Sequence, residues 1–356
     1  MIEPQHATVR QPLVTVAIPT FNRASLLRGC IAAALAQICD NFEVVVSDNA
    51  SNDETQQVLA EFCDRRLRAI RQKQNIGANP NWNACLAEAR GEFTVIVSDD
   101  DRIAPNFVEL CEIVIAMDPR IDLVVGLGDT YMPEPNITLH EAASKNIATG
   151  IVAGIDVLQE FLKGQITPQM CTIAVRTELL RSRGGFPDGW PHTADLAAWI
   201  PILFTGRVGF INERCGTYCS HGATQTAKMA IGVRIGDIRR LTNLIIAEVN
   251  RSIDEPRTRA KVVKQARRYL ARNAIGLIAI SRSSGASFVE TLGLISTMYG
   301  ELVPAVPAEL ARLLRPIITI LLPLEFTHLI RQALKFARRL RVRTPKNAHL
   351  WDHRSR

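Results

Sequence analysis

The sequence predicts an α/β fold: a mostly parallel sheet flanked by helices, followed by a helical C-terminal region. Three observations carry that expectation. Short apolar, β-branched runs alternate with helically spaced segments between Val14 and Val97. Polar residues gather just after the ends of those runs, where open parallel sheets bind their ligands. Beyond Met229 the pattern turns to helical spacing alone.

Taken in order, residues 13–18 read as a buried strand, stopped by Pro19 because proline brings no N–H to a ladder. Ser25 can cap a helix that runs through Leu26, Leu27, Ile31 and Leu35. Residues 42–47 form the second strand, which ends on the polar turn 48–53. A helix follows with Val58, Leu59 and Phe62 on one face, then a short strand over 67–70. Residues 82–89 fit a third helix closed by Gly91, and 93–97 form the fourth strand. Further strands are expected over 122–126, 171–175 and 207–211, and a loop over 133–147. Ile238, Leu241, Leu244, Ile245 and Val249 then keep helical spacing, as do segments near 269–280 and 310–340. There is no internal repeat.

A chain of 356 residues has room for one large domain and an appendage, here divided at 12–228 and 229–356. With 47% hydrophobic and 22% charged residues it falls among globular proteins and not disordered ones. The eight Cys are scattered; the close pair Cys215 and Cys219 has no second pair or His set, which argues against zinc. The thiols are expected to be reduced, in a cytoplasmic protein. The N-terminus has no basic segment before an apolar core, so no signal peptide is expected. No apolar run reaches the roughly 18 residues of a spanning helix. The net charge of +7 concentrates late, at Arg338, Arg339, Arg341 and Arg343 among others. Together with the apolar face of Leu313, Ile317, Ile320, Leu321 and Leu324, it suits peripheral contact with an anionic membrane or a packed helical subdomain. The region lacks any recognisable nucleic-acid module, and nucleic acid is not expected as a partner.

The most informative cluster is Ser98-Asp99-Asp100-Asp101. Three adjacent carboxylates repel one another, and a strand end needs none of them for packing. A hard divalent cation, Mg²⁺ or Mn²⁺, carrying a phosphorylated ligand would neutralise them.

Residues 14–55, from Val14 through the Pro19-Thr20-Phe21-Asn22 turn to Asp48, Ser51, Asp53 and Thr55, resemble the opening of family 2 glycosyltransferases of the GT-A fold. Gln74-Asn75-Ile76-Gly77 is similar to their Asn-x-Gly turn, and Ser98 to Asp101 to their acidic metal motif. Gly184-Gly185-Phe186-Pro187, followed by Asp195 and Gly206, resembles the acceptor-side segment, and His221-Gly222-Ala223-Thr224 the late histidine that closes the site. The resemblance spans roughly residues 12–225, in family order.

The resemblance implies a nucleotide-sugar half over about 12–102 and an acceptor half over about 103–228. It implies inverting transfer of a sugar from a UDP, dTDP, GDP or CDP donor to a hydroxyl of a glycan or lipid-linked acceptor. The setting would be bacterial surface polysaccharide synthesis at the inner face of the cytoplasmic membrane. Asp48 would hold ribose or base, Pro19 and Thr20 would lie against the base, and Asn22 would either bind or stabilise its own turn. Asn75, Asp99 and Asp100 complete the nucleotide side. Asp99, Asp100, Asp101 and His221 are the metal candidates, Asp101 first by the Asp-x-Asp reading and Asp100 next. Asp195 is the candidate base, with Asp188 and His192 in reserve; Gly185, Trp190 and His192 would meet the acceptor. Ala78, Asn79 and Pro80 stand where family members often carry a basic residue, so Asn79 or a C-terminal Arg would have to supply that phosphate or base contact. The Asp48 to Ser51 turn looks similar to that of rhamnosyl and abequosyl transferases.

Two other functions are open. A sugar-phosphate nucleotidyltransferase would need a Gly-rich phosphate loop after the first strand, and residues 18–23 are not one. A catalytically silent nucleotide-binding scaffold at the membrane would not need Asp48, Asp195 and the three adjacent acids intact.

Overall fold

All seven residues of β1 (Val14–Thr20) and all seven of β2 (Phe42–Asp48) are buried. Strands covered by helices on both faces lose the polar alternation of a half-exposed sheet, which is why both read as near-continuous apolar runs. In the computed structural model, which describes residues 11–222 and 224–283, they begin a single ten-stranded sheet. The other strands are β3 (Leu67–Arg71), β4 (Phe93–Ile96), β5 (Arg102–Ile103), β6 (Ile121–Met132), β7 (Ile137–Leu139), β8 (Gly150–Ala153), β9 (Ile173–Arg176) and β10 (Arg207–Cys219).

The order is β3-β2-β1-β4-β9-β6-β10-β5, with β7 beside β6 and β8 beside β10. The first four strands are parallel, as expected. β9 then enters antiparallel between β4 and β6, so the sheet becomes mixed. In the β1–β2 register Thr20 lies opposite Asp48, which sets two candidate residues side by side at the strand ends.

Ten helices are described: α1 (Ala24–Leu35), α2 (Thr55–Ala60), α3 (Ala78–Glu88), α4 (Phe107–Met117), α5 (Gly154–Lys163), α6 (Thr177–Ser182), α7 (Ala194–Trp199), α8 (Gln225–Lys228), α9 (Ile231–Ser252) and α10 (Pro256–Ser283). Val14, Val16 and Ile18 point to one face of β1 and pack with Leu27 and Ile31 of α1 and with Phe107 and Val114 of α4. α3 lies against β1 and β2. Residues up to Leu270 form one compact unit; those from Ala271 belong to a second.

Four local features differ from expectation, each for a physical reason. β1 continues through Pro19 to Thr20, because the β4 ladder stops at Ala17–Ile96 and leaves that side of Pro19 without a strand to satisfy. α1 starts at Ala24, not after Ser25; its first amide is held by Asp53 Oδ2 at 2.9 Å, a cap delivered from a distant loop. α3 starts four residues before Trp82, with Gly77 (φ +92°) as the residue ahead of it and Pro80 in its first turn, where proline costs no hydrogen bond. β6 and β10 run well beyond the expected 122–126 and 207–211, since each pairs along much of the other.

The 133–147 loop contains β7, and α5 and α6 are helices that apolar spacing did not announce. All eight cysteines are free thiols. Among the described residues no helix is long and apolar enough to cross a membrane. The basic tail and the apolar face expected near Leu313 lie outside the described residues.

Candidate active site

The three acids follow β4 in a turn closed by the Asp101 amide, which donates to Ser98 O at 2.9 Å. All three are buried, and each is answered differently. Asp99 accepts from Thr20 Oγ1 at 2.7 Å and from Arg23 Nη1 at 3.0 Å. The same Arg23 nitrogen donates to Asp100 Oδ2 at 2.7 Å, so one guanidinium bridges two carboxylates. Asp100 Oδ2 also lies 3.1 Å from His221 Nε2. Asp101 turns the other way, and its Oδ1 accepts the Cys219 amide at 2.8 Å. β10 makes this possible: its last residue is Cys219, so the strand delivers that amide and then His221 to the acids.

Burial pushes Asp99 up to about 6; Arg23 and Thr20 pull it down and Asp100 adds to the rise. Burial, then the neighbouring Asp100, holds Asp101 well above the ordinary carboxylate range. Burial works against the Arg23 charge, but Asp99 and Asp100 together outweigh it and raise that group.

Beside them, Asp48 closes its own turn by accepting the Ser51 amide at 2.8 Å. Its second oxygen takes Gln56 Nε2 at 2.6 Å and lies 3.6 Å from Arg71 Nη1. Asn22 sits at φ +53°, donates its backbone amide to Ser51 Oγ at 2.9 Å and accepts the Asn52 amide on its side-chain oxygen at 2.8 Å. These bonds knit the turn after β1 to the turn after β2. Asn75 Oδ1 accepts from Asn49 Nδ2 at 3.0 Å and from the Gly77 amide at 2.9 Å, which shapes the entry to α3.

The acceptor-side candidates are held by α3 and α9. Asn79 Nδ2 donates to Pro187 O at 3.0 Å and Trp190 O at 3.1 Å; this amide positions a loop, so it is not the phosphate contact expected of it. Asn83 clamps Phe186 through both backbone groups, at 2.8 Å each. Gly185 precedes that clamp at φ +70°, and a Cβ there would stand 2.3 Å from Asn83 Oδ1, so glycine is required. Trp190 lies under Arg240, whose guanidinium carbon is 4.2 Å from the ring centre. Trp199, 2% exposed, is a core residue.

Asp237 of α9 is the hidden organiser. Its Oδ2 receives the amides of His192 at 2.8 Å and Thr193 at 2.9 Å, just ahead of α7. Asp195 follows in the first turn of α7. Burial raises it to about 6 against the pull of its own and the Leu196 amide, and Asp237 adds to the rise. His192 is lowered to about 4, first by burial and then by the Arg234 charge.

The structure thus brings Thr20, Asp99, Asp100 and His221 into one cluster, with Asp48 alongside. Arg23, Gln56, Tyr218, Arg234 and Asp237 were missed. Arg23 had a signal, adjacency to the Pro19–Asn22 turn; Arg234 and Asp237 had none, because two charged residues on an amphipathic helix look like a solvated face.

A carboxylate and an imidazole in contact, as Asp100 and His221 are, can join phosphate oxygens in holding Mg²⁺ or Mn²⁺. Among the described residues no three His, Cys, Asp or Glu side chains are arranged to hold a metal by themselves. The donor set as arranged is Asp100 with His221.

Residues 15–160 match the family model described as Glycosyl transferase family 2. Over 208 residues the chain is 26% identical to the UDP-Glc:alpha-D-GlcNAc-diphosphoundecaprenol beta-1,3-glucosyltransferase WfgD of Escherichia coli, covering 58% of this chain and 76% of that one. Of four further relatives the chain spans 77% of one and 33%, 62% and 63% of the others, less than two thirds of three of them. The fold is similar to that of S. aureus TarS 1-349 in complex with UDP-GlcNAc, with TM-score 0.61 and 18% identity over 84% of this chain and 83% of that one. It is also similar to the mannosyltransferase PcManGT of Pyrobaculum calidifontis in complex with GDP-Man and Mn2+, with TM-score 0.51 and 18% identity over 88% and 86%. The family match over 15–160, with the acidic turn after β4 inside it, leads to one conclusion: this segment of the chain is a family 2 glycosyltransferase segment.

Proposed function

We propose that the protein is a metal-dependent, inverting glycosyltransferase that moves a sugar from a nucleoside-diphosphate donor to a hydroxyl of a glycan or lipid-linked acceptor. One observation carries the reading: His221 Nε2 stands 3.1 Å from Asp100 Oδ2 although 121 residues separate them, at a strand end that also bears Thr20 and Asp48. In this reading Asp48 accepts from the ribose or base, while Pro19, Thr20 and Asn22 shape the wall beside it. Asp100 and His221 would hold Mg²⁺ or Mn²⁺, which when bound neutralises charge on the diphosphate. Asp99 and Asp101 keep that carboxylate in position.

Asp195 takes the proton from the acceptor hydroxyl as its oxygen attacks the anomeric carbon. The bond from that carbon to the diphosphate oxygen breaks with its electron pair, so the configuration inverts. A carboxylate raised to about 6 is still ionised at neutral pH, yet it is a better base than an unperturbed one. The acceptor loop of Gly185 and Trp190 is held rigid by Asn79 and Asn83. The catalytic unit of this proposal is residues 12–228 with α9. The likeness to WfgD, a glucosyltransferase of UDP-Glc and a diphosphoundecaprenol-linked sugar, and to the UDP-GlcNAc complex of TarS and the GDP-Man complex of PcManGT supports the donor and acceptor classes. Polysaccharide synthesis at an anionic membrane surface belongs to the same proposal.

A second reading has one observation behind it. Arg23 already bridges Asp99 and Asp100, so the acids would need no metal and transfer would be metal-independent. Calorimetric titration of UDP, dTDP, GDP and CDP, with Mn²⁺ and with EDTA, separates the two. Binding of one nucleotide only with Mn²⁺ supports the first; equal binding in EDTA supports the second. Binding of none of them under either condition sinks both.

A further inference from the structure

Among the described residues, most buried or half-buried arginines have partners. Arg66 pairs with Asp64 and Asp40, Arg176 with Glu92 and the carbonyl of Ile121, and Arg181 reaches the carbonyls of Leu86, Ala87 and Ala89. Arg234 and Arg268 are exceptions, and of the two it is Arg234 that neighbours the candidate site, near His192 and Tyr218. It is half-buried in the first turn of α9, its Nε is shut away from solvent without a hydrogen-bond partner, and among the described residues it pairs with no carboxylate. The first turn of α9 carries no acid, and Ala230 ahead of it caps nothing with its side chain. A buried N–H without an acceptor is costly unless a ligand answers it.

The helix geometry says where Arg234 stands. Asp237 lies three residues on and shares its face of α9, and Asp237 holds the backbone of His192 and Thr193. Arg234 is therefore beside His192, whose Nδ1 is also buried without a partner. Arg234 also lies near Tyr218, the residue before Cys219, whose amide holds Asp101; the Tyr218 hydroxyl feels the charges of Asp101 and Asp100 and, less strongly, of Arg234. Arg234 thus occupies the join between the acid cluster and the segment bearing Asp195. Burial lowers its own affinity for a proton, as it does that of His192.

We propose that Arg234, with His192 beside it, binds a phosphate group of a substrate at this join. The proposal rests on the reading of the rim as a site of glycosyl transfer. It supplies the basic contact that the Asn75–Gly77 turn lacks and that Asn79, tied to Pro187 and Trp190, does not provide. The guanidinium offers paired donors to phosphate oxygens, and a neutral His192 can add a third. Two sources fit: the diphosphate of the donor, or a phosphate carried by the acceptor.

The test is calorimetry on the full chain with inorganic pyrophosphate in EDTA, and with whichever nucleoside diphosphate binds in Mn²⁺. Arg234→Gln is expected to weaken pyrophosphate binding at least ten-fold, about 1.4 kcal/mol, and Arg234→Lys, which keeps the charge and loses the paired donors, to fall between Arg234→Gln and wild type. If the nucleotide weakens in parallel, the phosphate is the donor's. If pyrophosphate weakens and the nucleotide does not, it is the acceptor's. Wild-type protein that ignores pyrophosphate, or Arg234→Gln that binds it unchanged, overturns the proposal. Should Arg234→Gln melt early, His192→Gln replaces it, with a several-fold loss expected and an unchanged affinity overturning the proposal. Asp195→Asn is the independent control: it should lose transfer and keep pyrophosphate binding. A transfer-competent Asp195→Asn would sink the base assignment and leave the anion site standing.

Discussion

Asp195 and Arg23 make the sharpest residue-level predictions. Asp195→Asn keeps the shape and removes the base, so kcat should fall by roughly 10²–10⁴ with nucleotide affinity unchanged. The base works only when ionised. Because burial raises Asp195 to about 6, kcat/KM should decline as pH falls through about 6, and be flat above it until another group titrates. A profile flat down to pH 4 would exclude Asp195. Arg23→Gln leaves Asp99 and Asp100 facing one another without the bridging guanidinium. Arg23 is 26% exposed, so the loss is set at roughly 2 kcal/mol, less than for a fully buried pair. Thermal melting with and without Mn²⁺ reads it: the ion should raise the melting temperature of Arg23→Gln more than that of wild type. These carboxylates were legible in the sequence because three acids after an apolar run have few structural uses. Their division of labour was not. Nothing in Asp99-Asp100-Asp101 says that the third would turn to a backbone amide of β10, since that depends on a strand more than a hundred residues away.

At the scale of elements, the informative pieces are those whose ends are held from outside. α1 is started by Asp53 and α7 by Asp237, neither of which belongs to the helix it serves. Local capping rules therefore point to Ser25 in one case and to Thr193 or Asp195 in the other, and to neither Asp53 nor Asp237. Asp237→Ala should leave the amides of His192 and Thr193 without their acceptor, at a cost of about 1–3 kcal/mol. Kinetics should register it as a raised acceptor KM and lowered kcat, with nucleotide binding preserved; a loss of nucleotide binding instead would mean that α9 serves the donor side. The first four strands were legible because parallel strands buried on both faces are apolar throughout. β9 was anticipated as a strand, but its antiparallel insertion between β4 and β6 was not, because strand order is a long-range property that no local pattern encodes.

For the whole molecule, the family match ends at residue 160, before β9 and β10. A chain cut there keeps Asp48 and the three acids but exposes the facing edges of β4 and β6. It is expected to aggregate rather than fold, which sedimentation of the truncated chain would reveal; a monomeric, cooperatively melting fragment would contradict that. The same insertion has a consequence for synthesis. As the chain leaves the ribosome, β1 to β4 can assemble early, but the outer edge of β4 stays open until β9 has emerged. At about 5–20 residues per second that is a wait of several seconds. His221, still later, reaches Asp100 after nearly the whole sheet is built, so a ribosome stalled between the two would hold a nascent chain with its acidic turn formed and its histidine missing.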